Sequence, residues 1–202
     1  MKTKFDQVYQ FKTTLRGAKP PIWRRIQVPE TYTFYDLHVA IQDAMGWDDY
    51  HMHEFELVNP ATETNVQIGI PDEVIGYDSG REILTGWKQK IAKWFTMENK
   101  SAIYVYDFGD NWEHIIKLEK ILPRKDGVKY PVCTAGKLAC PPEDCGGIWG
   151  YADFLEIIGD PDNEEYEEMM EWIGDEFNPE HFSPNEVIFT DPAKRLKAAL
   201  QR

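Results

Sequence analysis

Basic residues are missing from a long part of this chain. None of its 22 Lys and Arg residues lies between Leu138 and Ala193, a segment that contains sixteen acidic residues. The remainder carries 19 acidic and 22 basic residues, so the net charge of −13 arises from this segment. Because an acidic surface repels phosphates, the C-terminal third is excluded as a nucleic-acid-binding face. This acidic segment is better interpreted as a surface that binds a positively charged partner, or as a surface that is simply solvated.

Cysteines and long apolar runs are also scarce. The three cysteines are Cys133, Cys140 and Cys145, and this odd number argues against a disulfide framework. No run approaches the ~18 apolar residues of a membrane span, and polar residues interrupt the N-terminal segment where a signal peptide would need an apolar core. These absences predict a cytoplasmic protein with reduced thiols and no contact with a membrane.

The N-terminal half has the periodicity of an α+β protein. Residues 5–16 and 22–29 alternate between apolar and polar, which predicts a β-hairpin. Residues 33–45 predict a helix, with Thr33 as N-cap and Asp36 closing a capping box. Further elements are expected in the following order: a strand near 52–58, a loop over 59–80 with a short strand at 66–70, and a helix over 83–95.

The second half contains one clear hairpin, a long connection and several helices. β-Branched and aromatic residues flank a Gly-Asp-Asn corner over residues 101–122. Residues 122–148 are predicted as a loop that carries all three cysteines and the run CPPEDCGG. Helices are then expected in the segments WGYADFLEIIGD, DNEEYEEMMEWIG, SPNEVIFT and DPAKRLKAALQR.

An aspartate and a histidine are predicted to meet in the hairpin YVYDFGDNWEH. If its loop has an even number of residues, Asp107, Trp112 and His114 share one face of the sheet. A carboxylate beside an imidazole suits general acid/base chemistry or half of a metal site. A buried hydrogen bond that only stabilises the hairpin remains the alternative, and a three-residue loop with a bulge would separate the two residues.

Other side chains could complete a metal site. The candidate ligands are His51, His53, His114, Cys140 and Cys145, and a zinc ion or another divalent metal would suit them, although nothing in the sequence requires a cofactor. His51 and His53 would face the same way on a strand, whereas the cysteines lack the paired spacing of zinc fingers.

A basic, aromatic surface is the remaining candidate for a binding site. Lys12, Arg16, Lys19, Arg24 and Arg25, with Trp23 among them, could bind single-stranded nucleic acid through the N-terminal strands. Five positive charges are few, and a solvated sheet face is the alternative interpretation.

Several long motifs resemble those of one family. They are LRGAKPPIWRRIQVP, LHVAIQDAMGWDDYHMHEFEL, YVYDFGDNWEHIIKLEKIL, YPVCTAGKLACPPEDCGGIWGYADFLEII and EEMMEWIGDEFNPEHF. In this order, over residues 5–190, they resemble the plasmid pRiA4b ORF-3-like family. The resemblance implies a roll-like α+β fold in a bacterial or archaeal cytoplasmic protein, in some cases associated with mobile elements. It supplies no catalytic residues, but its motifs include Asp107, Gly109, Asp110, Trp112, His114, Pro141, Glu143, Asp144, Gly146 and Gly147.

We therefore expect a single α+β domain over residues 1–202. An antiparallel, roll-like sheet packed by helices would form a core over about 5–122, followed by the loop 122–148 and an acidic helical part over 149–202. The candidate site residues are Asp107, Asp110, Trp112, His114, Glu143 and Asp144. Three functions are open: a non-catalytic binding or adaptor module for a protein or small ligand, a metal-dependent hydrolase with nucleic acid as a candidate substrate, and an accessory protein in DNA transactions.

Overall fold

An eight-stranded sheet organises the computed structural model, which describes residues 5–71, 74, 76, 80–174 and 177–201. The strands are β1 (Gln7–Leu15), β2 (Trp23–Pro29), β3 (His53–Val58), β4 (Asn65–Gly69), β5 (Ile83–Thr85), β6 (Ser101–Tyr106), β7 (Trp112–Pro123) and β8 (Val132–Lys137). Their order across the sheet is β5-β4-β3-β6-β7-β1-β2-β8, and each neighbouring pair is antiparallel except β4 with β5. The α+β prediction is confirmed.

Four α-helices are defined within the described ranges. They are α1 (Phe34–Met45), α2 (Gly147–Ile158), α3 (Tyr166–Ile173) and α4 (Pro192–Ala199). The capping box of α1 forms as predicted, since the Thr33 side chain accepts from the Asp36 N–H and Asp36 accepts from the Thr33 N–H. Gly46 ends α1 in the left-handed conformation that a non-glycine residue rarely adopts.

One face of the sheet forms the core. Alternate residues of the strands point towards α1, so that Phe11, Ile26, Phe55, Tyr104 and Ile116 are all fully buried. On the opposite face the same strands present half-buried or exposed residues, such as Lys12 and Ile115. The period-two pattern of the sequence therefore marks the inner face correctly.

The C-terminal third contacts the rest of the protein through α1 and through β2. Arg195 of α4 forms ion pairs with Asp43 of α1 at 2.8 Å and with Asp49 at 2.9 Å. The ring of Phe182 lies 3.8 Å from the guanidinium carbon of Arg24 in β2. The last helix, although basic, thus packs against acidic residues of the body.

Three local predictions are wrong. Residues 83–95 form β5 and two 3-10 turns, Gly86–Lys88 and Ile91–Lys93, because the buried Ile91, Trp94 and Phe95 need only a short turn to reach the core. The predicted loop 122–148 contains the edge strand β8, which pairs with β2. The segment SPNEVIFT forms a turn and extended chain without a helix.

The predicted loop over 59–80 includes the strand β4 as expected, but part of it lies outside the described residues. Within the described ranges, no helix has both the length and the apolar character that crossing a bilayer requires.

Candidate functional site

The hairpin that suggested a site has a different loop from the one predicted. Tyr106 is paired with Trp112 and Tyr104 with His114, so residues 107–111 form a loop of odd length. Asp107 and Asn111 both adopt the left-handed conformation, with φ of 56° and 54°. Asp107 accepts a hydrogen bond from the Gly109 N–H at 2.9 Å, as aspartates in tight turns do. The predicted pairing of Asp107 with His114 is therefore wrong.

His114 is a core residue. Its ring is fully buried beside Trp47 and Tyr104, and Nδ1 donates to the Trp112 carbonyl at 3.0 Å. Burial lowers the pKa of His114 to about 4. Trp112 is buried against Trp47. Among the described residues, His114 belongs to no group of candidate metal ligands.

Asp107 instead approaches His51. The Nδ1 atom of His51 lies 3.7 Å from Asp107 Oδ1, and its Nε2 atom lies 3.1 Å from Asp144 Oδ1. One potential ligand atom from each of the three residues lies within 4.8 Å of the other two. The three residues come from separate segments: the residues just before β3, the β6–β7 loop and the loop before α2. We call these three residues the His51 cluster.

The loop before α2 is held against the hairpin by close backbone packing. Asp110 Oδ2 accepts from the Gly146 N–H at 3.1 Å, and a Cβ atom at Gly147 would lie 2.3 Å from the Asp110 carbonyl oxygen. Gly147 also has a φ of +69°, so both the lack of space for a Cβ atom and the backbone conformation favour glycine at this position. Trp47 donates from Nε1 to the Pro141 carbonyl at 3.0 Å. These contacts bring Asp144 to His51.

Glu143 lies beside the His51 cluster and supports it. Its Oε1 atom accepts from the Tyr106 hydroxyl at 2.8 Å and from the Asp48 N–H at 2.9 Å. The same tyrosine oxygen accepts from the N–H groups of Tyr50 and His51, which fixes the chain that leads into β3. The other oxygen, Oε2, is buried and has no hydrogen-bond partner among the described residues.

Comparison with known proteins gives the family. A profile of the plasmid pRiA4b ORF-3-like protein family matches residues 7–186. The chain belongs to this family. It is 39% identical over 170 residues to the uncharacterized protein y4hQ of Sinorhizobium fredii, with 83% of this chain and 81% of that protein covered. It also resembles the crystal structure of MM3350, a protein of unknown function from Methanosarcina mazei Go1, with a TM-score of 0.86, 53% identity and coverage of 92% and 100% of the two chains.

The remaining predicted ligands of this pRiA4b ORF-3-like protein lie apart from His51. His53 begins β3 and is buried against His38, while His51 precedes the strand and belongs to the His51 cluster. Cys140 and Cys145 belong to no ligand group within the described ranges. Burial raises the pKa of both thiols, that of Cys145 to about 12, which favours the protonated form over the thiolate that metals bind. The predicted set of five ligands is therefore not assembled.

A second histidine cluster was not predicted. The rings of His38 and His53 are stacked with centroids 3.4 Å apart, and His38 Nε2 lies 2.8 Å from Asp49 Oδ1. A metal binds in the plane of an imidazole, and two parallel rings at this separation do not direct their nitrogens to one point. Burial lowers the pKa of His53, so the stack combines at least one neutral imidazole with the Asp49–Arg195 ion pair. This cluster fastens α4 to α1.

Proposed function

We propose that this protein is a metal-dependent hydrolase whose divalent cation is bound by His51 and Asp144 with Asp107 beside them. The observation that supports the proposal is the approach of these three side chains, from three distant segments, to within 4.8 Å. The hydrolase hypothesis requires such convergence of the chain before β3, the hairpin loop and the CPPEDCGG loop. The adaptor hypothesis needs no shared cluster.

The geometry around His51 Nε2 suits a cation. Nε2 lies 3.1 Å from Asp144 Oδ1, yet the two atoms do not form a hydrogen bond and Nε2 has no other such partner in the described chain. Ligands of a tetrahedral zinc ion are separated by about 3.3 Å, because each lies ~2.0–2.2 Å from the metal. A ring nitrogen and carboxylate oxygens are ligands that zinc and manganese accept. Asp107, near Nδ1, either completes the ligand set or orients the ring.

The chemistry of such a centre is hydrolysis. The Asp144 side chain is 69% exposed, so water and substrate can reach this side of the cluster. A divalent cation with an open position lowers the pKa of bound water to about 7 and thereby supplies a nucleophile at neutral pH. Glu143 has a positioning role here, because its Oε1 accepts from the Tyr106 hydroxyl, whose oxygen in turn accepts from the His51 N–H.

Nucleic acid is a poor substrate for this centre. Its exposed ligand, Asp144, belongs to the acidic third, which repels phosphates. The N-terminal basic strands offer fewer free charges than the sequence indicated, since Arg24 is buried, Arg16 pairs with Glu113 and Arg25 pairs with Glu119. The DNA-accessory hypothesis thus has the least support.

Metal titration tests the proposal. We expect chelator-treated protein to bind about one equivalent of Zn²⁺ or Mn²⁺ in isothermal titration calorimetry, and His51→Ala and Asp144→Asn to weaken this binding at least about tenfold, because each removes a ligand. His181→Ala is the matched control, since His181 is 59% exposed and pairs with Glu186 away from the cluster.

Hydrolysis is measured on the same variants. Metal-loaded protein should cleave p-nitrophenyl acetate or bis(p-nitrophenyl) phosphate, and His51→Ala should lose this activity while His181→Ala keeps it. Equal metal affinity in the wild type and the His51 variant would refute the centre. Metal binding without turnover of either ester would leave a metal site but refute the hydrolase.

A further inference from the structure

A groove between α2 and α3 adjoins the His51 cluster. It encloses about 570 Å³, and Asp144 contributes to both. Three more carboxylates line it: Asp153 from α2, Glu168 from α3, and Glu165 immediately before α3. No Lys, Arg or His lies within ion-pair distance of these three carboxylates in the described part of the chain. Their negative charge is therefore left for an outside group to neutralise.

The floor of the groove is apolar and aromatic. Phe154, Ile157, Met169 and Trp172 line it between the acidic groups. Phe154 is buried and meets Trp172 edge to ring at a centroid distance of 6.0 Å, while Trp172 remains 49% exposed. An exposed indole attracts cations to its face, and a methionine adapts its shape to different neighbours. The groove thus combines surfaces for aliphatic chains with surfaces for positive charge.

We propose that this groove binds a basic, amphipathic polypeptide segment of a partner protein. Lysine and arginine side chains have apolar stems and charged ends, so the stems would cover Trp172 and Ile157 while the ends reach the carboxylates. Charge complementarity selects this occupant, because the chain has no Lys or Arg between Leu138 and Ala193. The apolar floor favours a segment with leucines between its basic residues over a small polyamine, which has no side chains to place there.

This inference goes beyond the proposed hydrolase and does not depend on a metal. Asp144 is the one residue common to both sites; of the other groove residues, Cys145 precedes α2 and the rest lie on α2, on α3 or immediately before α3. If both proposals hold, a basic segment in the groove would lie next to the metal centre, as a substrate or as a regulator. The two proposals can fail separately, because His51→Ala removes a metal ligand and leaves the groove unchanged.

Fluorescence anisotropy with a defined probe tests the groove. The probe is a fluorescein-labelled peptide that repeats Lys-Leu-Ala-Lys-Ala-Leu-Lys, and the comparison peptide replaces every lysine by glutamate. We expect saturable binding of the basic peptide only, weakened by added salt as the opposed charges are screened. The double variant Asp153→Asn/Glu168→Gln should weaken it about tenfold or more.

Two matched controls separate the groove from general negative charge. Glu156→Gln/Glu171→Gln removes the same charge from the same two helices outside the groove and should change the affinity less than about twofold. Trp172→Ala should weaken binding severalfold, whereas Trp149→Ala, at an 82% exposed tryptophan outside the groove, should not.

The outcomes decide the proposal. Equal loss in the two double variants would overturn it in favour of diffuse attraction, and so would full displacement of the peptide by equimolar spermidine. Absence of any binding would also overturn it. Retained peptide binding in His51→Ala, measured beside its metal affinity, shows which of the two proposals has failed if only one does.

Discussion

Replacing Arg24 by alanine is expected to lower the free energy of unfolding by about 4 kcal/mol. The Arg24 guanidinium is buried and donates from Nε to the Ala44 carbonyl at 2.8 Å, and from Nη1 to the carbonyls of Trp23 and Lys137 at 3.0 and 3.1 Å. It thereby joins the end of α1 to β2 and β8, and the ring of Phe182 packs against its guanidinium group. Unsatisfied carbonyls contribute ~2 kcal/mol of this loss and the cavity about as much again.

The neighbouring arginine is the matched control. Arg25 lies on the outer face of the sheet, where it pairs with Glu119 at 2.6 Å, and Arg25→Ala should cost less than about 1 kcal/mol because that pair is partly exposed. Arg24→Met fills most of the volume without donating, so it should cost ~2 kcal/mol. Urea unfolding measures all three. A methionine variant as stable as the wild type would mean that the cost of burying the charge cancels its hydrogen bonds.

Arg24 also shows why one sequence-based prediction, that of a basic surface, was wrong at this position. The alternation over 22–29 places Arg24 on the same face as Ile26 and Val28, which are fully buried. The prediction of a basic surface rests on the charge of Arg24, although its spacing from Ile26 and Val28 is that of an inward-pointing position. Where the two signals conflict in a strand, the pattern of its neighbours is the better guide, provided that carbonyl groups are near enough to accept from the guanidinium.

Local features were predictable where neighbouring residues determine them. The capping box at Thr33 and the alternation of β1 depend on contacts within a few residues or across one hairpin. The loop of the β6–β7 hairpin was not predictable from its Gly-Asp-Asn corner, because Asp107 and Asn111 adopt positive φ and lengthen the turn. That change moves Asp107 out of the sheet and away from His114.

The candidate site depends on contacts that no local pattern encodes. His51, Asp107 and Asp144 are brought together by the sheet order and by the glycine contact between Gly147 and Asp110. The sequence contained all three residues among its candidates, but in different roles, since Asp144 belonged to the CPPEDCGG loop and His51 to a pair with His53. His38 gave no signal, because a histidine on a helix has no partner until the fold supplies it.

His114 is expected to make the protein's stability depend on pH between about 6.5 and 4. Its Nδ1 donates to the Trp112 carbonyl, so a second proton must go to Nε2, which is buried without a hydrogen-bond partner among the described residues. Burial lowers the pKa of His114 from the usual 6.5 to about 4; hydrogen bonding to the backbone of Trp112 and Tyr104 opposes this effect, and the positive charge of Arg24 adds to it. The unfolded chain takes up this proton at higher pH than the folded protein does.

The sign of the effect follows from that difference. Above pH 6.5 neither state protonates His114, and stability is unaffected by it. As the pH falls towards 4, protonation stabilises only the unfolded state, so the free energy of unfolding should decrease by about 2 kcal/mol at pH 5 and by about 3 kcal/mol once the pH is below 4.

His114→Asn isolates this contribution. An asparagine amide can still donate to the Trp112 carbonyl but does not titrate, so the variant should be less stable at pH 7.5 and yet lose about 2 kcal/mol less than the wild type between pH 7.5 and pH 5. The comparison removes the effect of His53, whose pKa is also lowered by burial and which titrates in both proteins. Urea unfolding at the two pH values gives the four free energies. If the free energy of unfolding decreased equally in both proteins between pH 7.5 and pH 5, the folded state would protonate His114 as readily as the unfolded chain does. That result would require Nε2 to have a hydrogen-bond acceptor in solution.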